Sequence, residues 1–264
     1  MMAANLGSLT LMKLLLGRQD VNPNMADSYG QTPLRQAAEC GHVPLVKLLL
    51  DWEDVTPTIP ECNGETPLTV AAKFGADGVV KPLLGRQNVN QNIPDKSGRT
   101  PLLWAAANGR DGVIQLLPGL EDVNPNRPAI GGRTPLSLAA NHGHDGVVKL
   151  LLGRKDINLN MADIDGLTAL SWAANHGHYG VVKILLGWKD VDPNMAEVGS
   201  QTPLSWAADY GYNEVVPLLL GQEAVNPNIS DHDGRTPLWW ACQSGHEGVV
   251  NLLQADQSTN PNEV

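Results

Sequence analysis

Apolar and polar positions along this chain recur in blocks of one design. Each block opens on Thr-Pro-Leu or a close variant, passes through a pair of small residues, breaks at a glycine and resumes as a run of Val and Leu. "TPLSWAA" from Thr202 has counterparts in "TPLLWAA" from Thr100, "TALSWAA" from Thr168 and "TPLWWAC" from Thr236. The threonine stands at Thr32, Thr66, Thr100, Thr134, Thr168, Thr202 and Thr236, so every step is 34 residues. A partial copy comes first, since "AANLGSLTLMKLLLG" from Ala3 aligns with "AAECGHVPLVKLLLD" from Ala37. The chain therefore reads as seven units preceded by a partial one over residues 1–24. A period of this size that never slips is the mark of stacked repeats.

Each unit predicts a turn, a helix, a second helix and a loop. In "DGRTPLWWACQSGHEGVVNLL", Asp233-Gly234 marks a tight turn, because glycine tolerates positive φ. Thr236 caps a helix and Pro237 takes its first position, where a missing N–H costs nothing. Gly245 is placed to end that helix in the left-handed region. "GVVNLL" then forms the second helix, and "DVNPN"-type segments lead to the next turn, their carboxylates (Asp122, Asp190) shaping the loop. The predicted class is all-α, a solenoid of helix-turn-helix units joined by β-hairpin-like loops, forming one domain over residues 1–264. No unit can bury its apolar face alone, so stability must come from stacking.

Helix breakers mark the expected weak points. Pro82 falls inside a second helix, where Leu48 and Leu150 stand in other units, and removes one hydrogen bond at a cost of about 3 kcal/mol. The third unit, counting the partial one, is thus expected to be the least regular. Pro217 lies nearer its helix start and should be milder, and Pro118 comes at a helix end. Asn251, Gln254 and Asp256 read as partial capping of the C-terminal unit. Leu6, Leu9 and Leu11 are expected to be exposed at the other end, which predicts that the sequence is cut from a longer protein.

"DGRTPL", "AA..GH..VVK.LL" and "DVNPN" resemble ankyrin repeats, and the resemblance covers essentially the whole chain. Tetratricopeptide repeats share the 34-residue period, but as plain helix pairs they lack a Pro/Asn/Asp/Gly-rich stretch of this length between units. The departures are a unit usually one residue shorter, with Gly-Ala before the Asp-Val-Asn, and a His after Thr-Pro-Leu. Here Arg35, Thr69, Leu103, Ser137, Ser171, Ser205 and Trp239 take the place of that His. The "GRxDVNPNMAD" variant is similar to arrays attached to fungal NLR-like (NACHT/STAND) receptors. The resemblance implies a non-enzymatic module that binds a protein or peptide on its concave groove; the other reading is a sensor or spacer region of a larger receptor, packing against its own chain.

The recurring tryptophans fit that groove by helical geometry. With Leu204 at 0°, Ala207 and Ala208 fall near 300° and 40°, whereas Trp206 falls near 200°, at about 100° per residue. Trp104, Trp172, Trp206 and Trp240 are therefore expected to point away from the packed Leu-Ala-Ala side, with Leu138 completing the line. They could lie flat over helix seams or serve as binding anchors, since Trp is enriched at interface hot spots. Trp52 and Trp188 fall in loops and read as packing lids, and Trp239 as structural. By the resemblance, two further rows contact partners. One holds the helix-end residues, notably Phe74, Asn108, Asn141, His142, Asn175, His176, Asp209 and Tyr210. The other holds the residues before each threonine, notably Arg99, Arg133 and Arg235.

Composition trims the alternatives. The net charge of −10 argues against a broad nucleic-acid surface, which needs clustered Lys and Arg. Cys40, Cys62 and Cys242 form no CxxC pair, which fits a reducing, intracellular setting, the cytoplasm first and the nucleus second. No apolar run reaches the length of a membrane span. "NHGH" at Asn141–His144 and Asn175–His178 is the one metal-like motif. The Gly-His of each also occurs at His42 and His246, so those histidines read as framework bonded to loop backbone, and His142 and His176 remain as weak metal candidates. No cofactor is expected. Nucleophile-elbow, phosphate-loop and zinc-protease motifs are missing, so no catalysis is expected.

Overall fold

The computed structural model describes residues 1–117, 123–256, 258 and 259, so Pro118 and Asp122 lie outside the described residues. They divide between two compact units, Met1–Ile130 and Gly131–Val264. The first holds α1 (Met2–Asn5), α2 (Leu9–Leu16), α3 (Pro33–Glu39), α4 (Val43–Leu50), α5 (Pro67–Phe74), α6 (Asp77–Leu84), α7 (Pro101–Ala107) and α8 (Asp111–Leu116). The second holds α9 (Pro135–Asn141), α10 (Asp145–Leu152), α11 (Ala169–Asn175), α12 (Tyr179–Leu186), α13 (Pro203–Asp209), α14 (Val215–Leu220), α15 (Pro237–Gln243) and α16 (Glu247–Ala255). Sixteen helices and no strand occur among the described residues.

Local chemistry sets the helix starts. Each of the seven threonines is extended, and its hydroxyl accepts the N–H three residues on at 3.1–3.4 Å. Proline follows in every unit but one, where Ala169 stands instead. A cap of this kind contributes about 1 kcal/mol. Gly245, at φ +72°, ends α15 as expected.

Packing follows the repeat. In the first unit α5 lies against α3 and α7, and α6 against α4 and α8; in the second, α9, α11, α13 and α15 stack in order, as do α10, α12, α14 and α16. The Leu-Ala-Ala side of each first helix is sealed: Leu204, Ala207 and Ala208 are buried, as are Val215, Val216 and Leu219 of the helix behind them. Full burial of each such Leu or Val contributes roughly 1.5–3 kcal/mol.

Polar side chains lock one repeat to the next. His42, His178 and His246 each place Nε2 at 2.8–3.0 Å from a carbonyl 37 residues upstream. Where the histidine is replaced, Arg110 Nε reaches the Lys73 carbonyl at 3.1 Å and the Tyr212 hydroxyl the Asn175 carbonyl at 3.3 Å, across the same spacing. The framework role of Gly-His thus holds for these three histidines. The last Asn of the "VNPN"-type segment (VNPN at Asn24, INLN at Asn160, VDPN at Asn194) is a second lock. Asn160 Nδ2 donates to the Asp190 carbonyl at 2.7 Å while its Oδ1 accepts the Asp192 N–H at 2.9 Å. Asn24 and Asn194 repeat this two-bond pattern.

Pro82 behaves differently from expectation, whereas Pro217 lies near its helix start as expected. α6 runs through Pro82 for eight residues, as long as α4, α10 and α12, and its closing bond from Gly85 N to the Lys81 carbonyl is intact at 3.1 Å. Its unit is not the least regular. The shortened helix with a proline is α14, which starts at Val215 and puts Pro217 in its first turn. First-turn N–H groups have no partner within the helix, so a late start spares the bond that Pro217 cannot make.

At the N-terminus Leu6 and Leu11 are exposed, with Met2 and Leu14, whereas Leu9 is half-buried. Asn251 and Gln254 are exposed and Asp256 half-buried at the far end.

Candidate functional site

The hairpin before six of the seven threonine caps is built around one carboxylate, five residues before the threonine; Ala129 takes that place before Thr134. Asp95 Oδ1 accepts the N–H groups of Ser97 and Arg99 at 2.8 and 2.9 Å. Its Oδ2 accepts the Trp104 indole N–H at 2.7 Å. Asp163 and Asp231 hold their turns in the same way and take Trp172 and Trp240 at 2.9 and 3.1 Å. One buried aspartate therefore ties the hairpin to the helix nine residues on and fixes the indole's orientation. Adjacent hairpins touch through a single backbone bond, such as Lys96 N to the Asn63 carbonyl at 2.8 Å. Gly98, at φ +76°, permits this approach, since a Cβ there would lie 2.9 Å from Ile130 N.

A cation covers three of the four rings. The Arg99 and Arg235 guanidinium carbons stand 4.5 and 4.4 Å from the ring centroids of Trp104 and Trp240 in their own repeats. Arg133 reaches instead to Trp172 of the next repeat, at 4.1 Å. The exchange has a simple cause: Leu138 fills the Trp position beside Arg133, and Leu167 fills the Arg position beside Trp172. Lys73 adds a second cation over Trp104, at 4.2 Å.

Trp206 is the exception. Glu197 stands where the other Trp repeats have Asp, and the Trp206 Nε1 is buried without a partner. Its ring stacks on Tyr210, which stacks on Tyr212, at centroid distances of 6.1 Å each. Trp172, His176 and His178 form the matching ladder one repeat earlier, at 5.7 and 5.9 Å.

Burial sorts the sequence-predicted residues. Trp104, Trp172, Trp206 and Trp240 are all half-buried, neither sealed between helices nor open. Leu138 does not continue their line, because it is 1% exposed. Phe74 and Tyr210 are exposed. Asn108 donates to the Trp104 carbonyl at 2.8 Å and so caps its own helix. Asn141, Asn175 and Asp209 supply carbonyls to the next repeat's lock, and the Asp209 carboxylate also accepts the Ser244 hydroxyl at 2.7 Å. His142 and His176 each bring Nδ1 to a carbonyl of their own helix, at 2.9 and 3.1 Å, which makes that nitrogen the donor. Among the described residues they do not join a group of three metal-ligating side chains. Trp239 packs edge-on against Trp240, 5.1 Å between centroids. Trp52 is half-buried and Trp188 exposed in their loops.

Two carboxylates of this surface titrate low. For Asp95, burial is the largest influence and pushes its carboxyl up. Hydrogen bonds from the Ser97 hydroxyl, the Arg99 N–H, the Trp104 indole and the Ser97 N–H outweigh it and hold the group below the usual carboxylate range. For Asp231, burial is again opposed and outweighed, here by the Arg235 N–H, the Arg235 guanidinium and the Asp233 N–H.

A cleft of about 660 Å³ opens beside Trp104 in the first unit, bordered by Glu65, Lys73, Lys96, Arg99, Trp104 and Ile130. The aspartate partners of the indoles were missed in the sequence, yet they leave a signal there. Every Trp at this position has an acid nine residues before it (Asp95, Asp163, Glu197, Asp231), whereas Leu138 has Ala129.

Capped helix pairs at a fixed period, joined by carboxylate-centred hairpins, define a helical-repeat binding scaffold. The family model described as ankyrin repeats (three copies) matches residues 1–95, 53–128, 112–197 and 188–263, and the chain belongs to that family. No curated protein matches it. Ankyrin repeats are in general protein–protein interaction modules. No helix among the described residues is long and apolar enough to cross a membrane.

Proposed function

We propose that this chain is a non-enzymatic interaction module, one continuous array whose hairpins and first helices receive a segment of a partner protein. The unbroken 34-residue register supports treating residues 1–264 as one array. The observation that carries the reading is the set of half-buried indoles, each of three oriented by a buried aspartate and covered by a cation. A large ring held in place before binding loses little freedom on contact, which is what a binding anchor requires. Around them, Arg133, His176, Asp209, Tyr210 and Arg235 supply polar and aromatic edges in the second unit. An intracellular setting fits three cysteines that are all unbridged.

The test is selection of peptides from a random display library against the whole chain. Binders should lose at least about tenfold in affinity (roughly 1.4 kcal/mol) for the Trp172→Ala/Trp206→Ala double variant, whose helical circular dichroism should be retained. Binders of undiminished affinity for that variant would remove the reading.

The exposed Met2, Leu6 and Leu14 support a second reading, in which the array packs against another domain of a larger, fungal-type receptor. Flanking coding sequence without a nucleotide-binding domain would count against it.

A further inference from the structure

The cleft at Trp104 differs from the other indole sites in its unspent charge. Its two acids are buried and fully engaged. Glu65 Oε1 takes Lys73 Nζ at 2.6 Å and its Oε2 lies 3.5 Å from Arg35. Asp95 is occupied by the turn, the Ser97 hydroxyl and the indole. Lys73 is thereby neutralised, but Arg99 is not. Arg133 and Arg235, its counterparts in other repeats, have carboxylates at 3.7 and 2.8 Å. Among the described residues the Arg99 guanidinium has no carboxylate within ion-pair distance, and it rests on the indole ring of Trp104. Lys96 beside it is exposed, and it too has no ion pair there.

A guanidinium lying on an aromatic ring keeps its edge N–H groups free in a rigid fork, the geometry that takes a carboxylate through two bonds. Partial burial raises the cost of leaving such a cation without an anion. Ile130, 76% exposed at the rim, and the Trp104 ring add apolar surface for a neighbouring side chain.

We propose that this cleft binds an acidic, extended segment of a partner protein, with one carboxylate on Arg99, a second on Lys96 and an intervening apolar side chain against Trp104 and Ile130. The proposal rests on the interaction-module reading and gives it a partner chemistry. Because the chain carries a net charge of −10, an acidic peptide is repelled in general and held only where local charge is reversed.

The probe is a short labelled peptide alternating Glu and Leu, compared with its Lys/Leu counterpart by fluorescence anisotropy on the whole chain. The acidic peptide should bind and the basic one should not bind at this cleft. Arg99→Gln should weaken the acidic peptide by about tenfold or more, as expected for a charge-assisted bidentate pair. Lys96→Gln should weaken it severalfold. Arg99→Lys should not substitute for it, and Lys13→Gln, the same charge change on an exposed residue of α2, which packs on α1 and α4, should leave it unaltered. Failure of the acidic peptide to bind, or binding indifferent to Arg99→Gln, overturns the proposal. Display-selected peptides that depend on Trp172 and Trp206 but not on Arg99 would sink this inference while leaving the module intact. An Arg99-dependent acidic peptide alongside selected binders indifferent to the Trp pair would keep this cleft and remove Trp172 and Trp206 as anchors.

Discussion

The Asp95 carboxylate serves two masters, a turn on one oxygen and an indole on the other. That geometry depends on side-chain length, as Trp206 demonstrates. Glu197 directs Oε1 to the Gln201 N–H at 3.3 Å and leaves the indole N–H without an acceptor. A buried donor without a partner costs about 1–3 kcal/mol, so Glu197→Asp should stabilise the protein by about 1 kcal/mol in urea unfolding. An unchanged midpoint would mean that the indole is solvated by other means. The same carboxylates give stability a definite pH dependence. The folded pKa of Asp95 lies below its unfolded value near 4, so its contribution is fully present above that value and is lost as pH falls through the folded one. Asp95→Asn should therefore lower stability at neutral pH and flatten its decline as the pH falls below the unfolded value near 4. A decline as steep as that of the unaltered protein would contradict the assignment.

Among the elements, α6 teaches the most about tolerance. Its proline removes the bond that residue 82 would make to the Gly78 carbonyl, yet the helix holds because Val79, Val80 and Leu83 are fully buried. Pro82→Leu should restore that bond and raise stability by about 2–3 kcal/mol, measured by thermal or denaturant unfolding. A loss of stability would show that the ring itself fills needed space. Much at this scale was legible in the sequence. Thr caps, the proline at the first helical position and the glycine stop act on residues a few places away, so a short string of letters contains their whole cause. The Asn locks were not, because Asn160 acts on Asp190 and Asp192, 30 and 32 residues on, and "VNPN" alone reads as a loop. The Pro82 expectation weighed the lost bond without the packing that offsets it.

For the whole molecule, periodicity fixes the architecture, and the departures from periodicity carry the chemistry. The recurrence of Trp104, Trp172, Trp206 and Trp240 at one position of the repeat was legible, and so was that of the hairpin arginines. Which arginine covers which ring was not, because Arg133 serves the neighbouring repeat in place of Leu167. Nor was the burial of Leu138, which follows from three-dimensional neighbours rather than from its place on the helix.

The most direct measurement of the binding account is the set of indole N–H resonances in a nitrogen-edited spectrum, followed as a display-selected peptide is added. The account predicts that the Trp172 and Trp206 signals move or broaden with the peptide while those of Trp52 and Trp188 stay in place. Shifts confined to Trp52 and Trp188, with the helix-borne indoles unmoved, would contradict it.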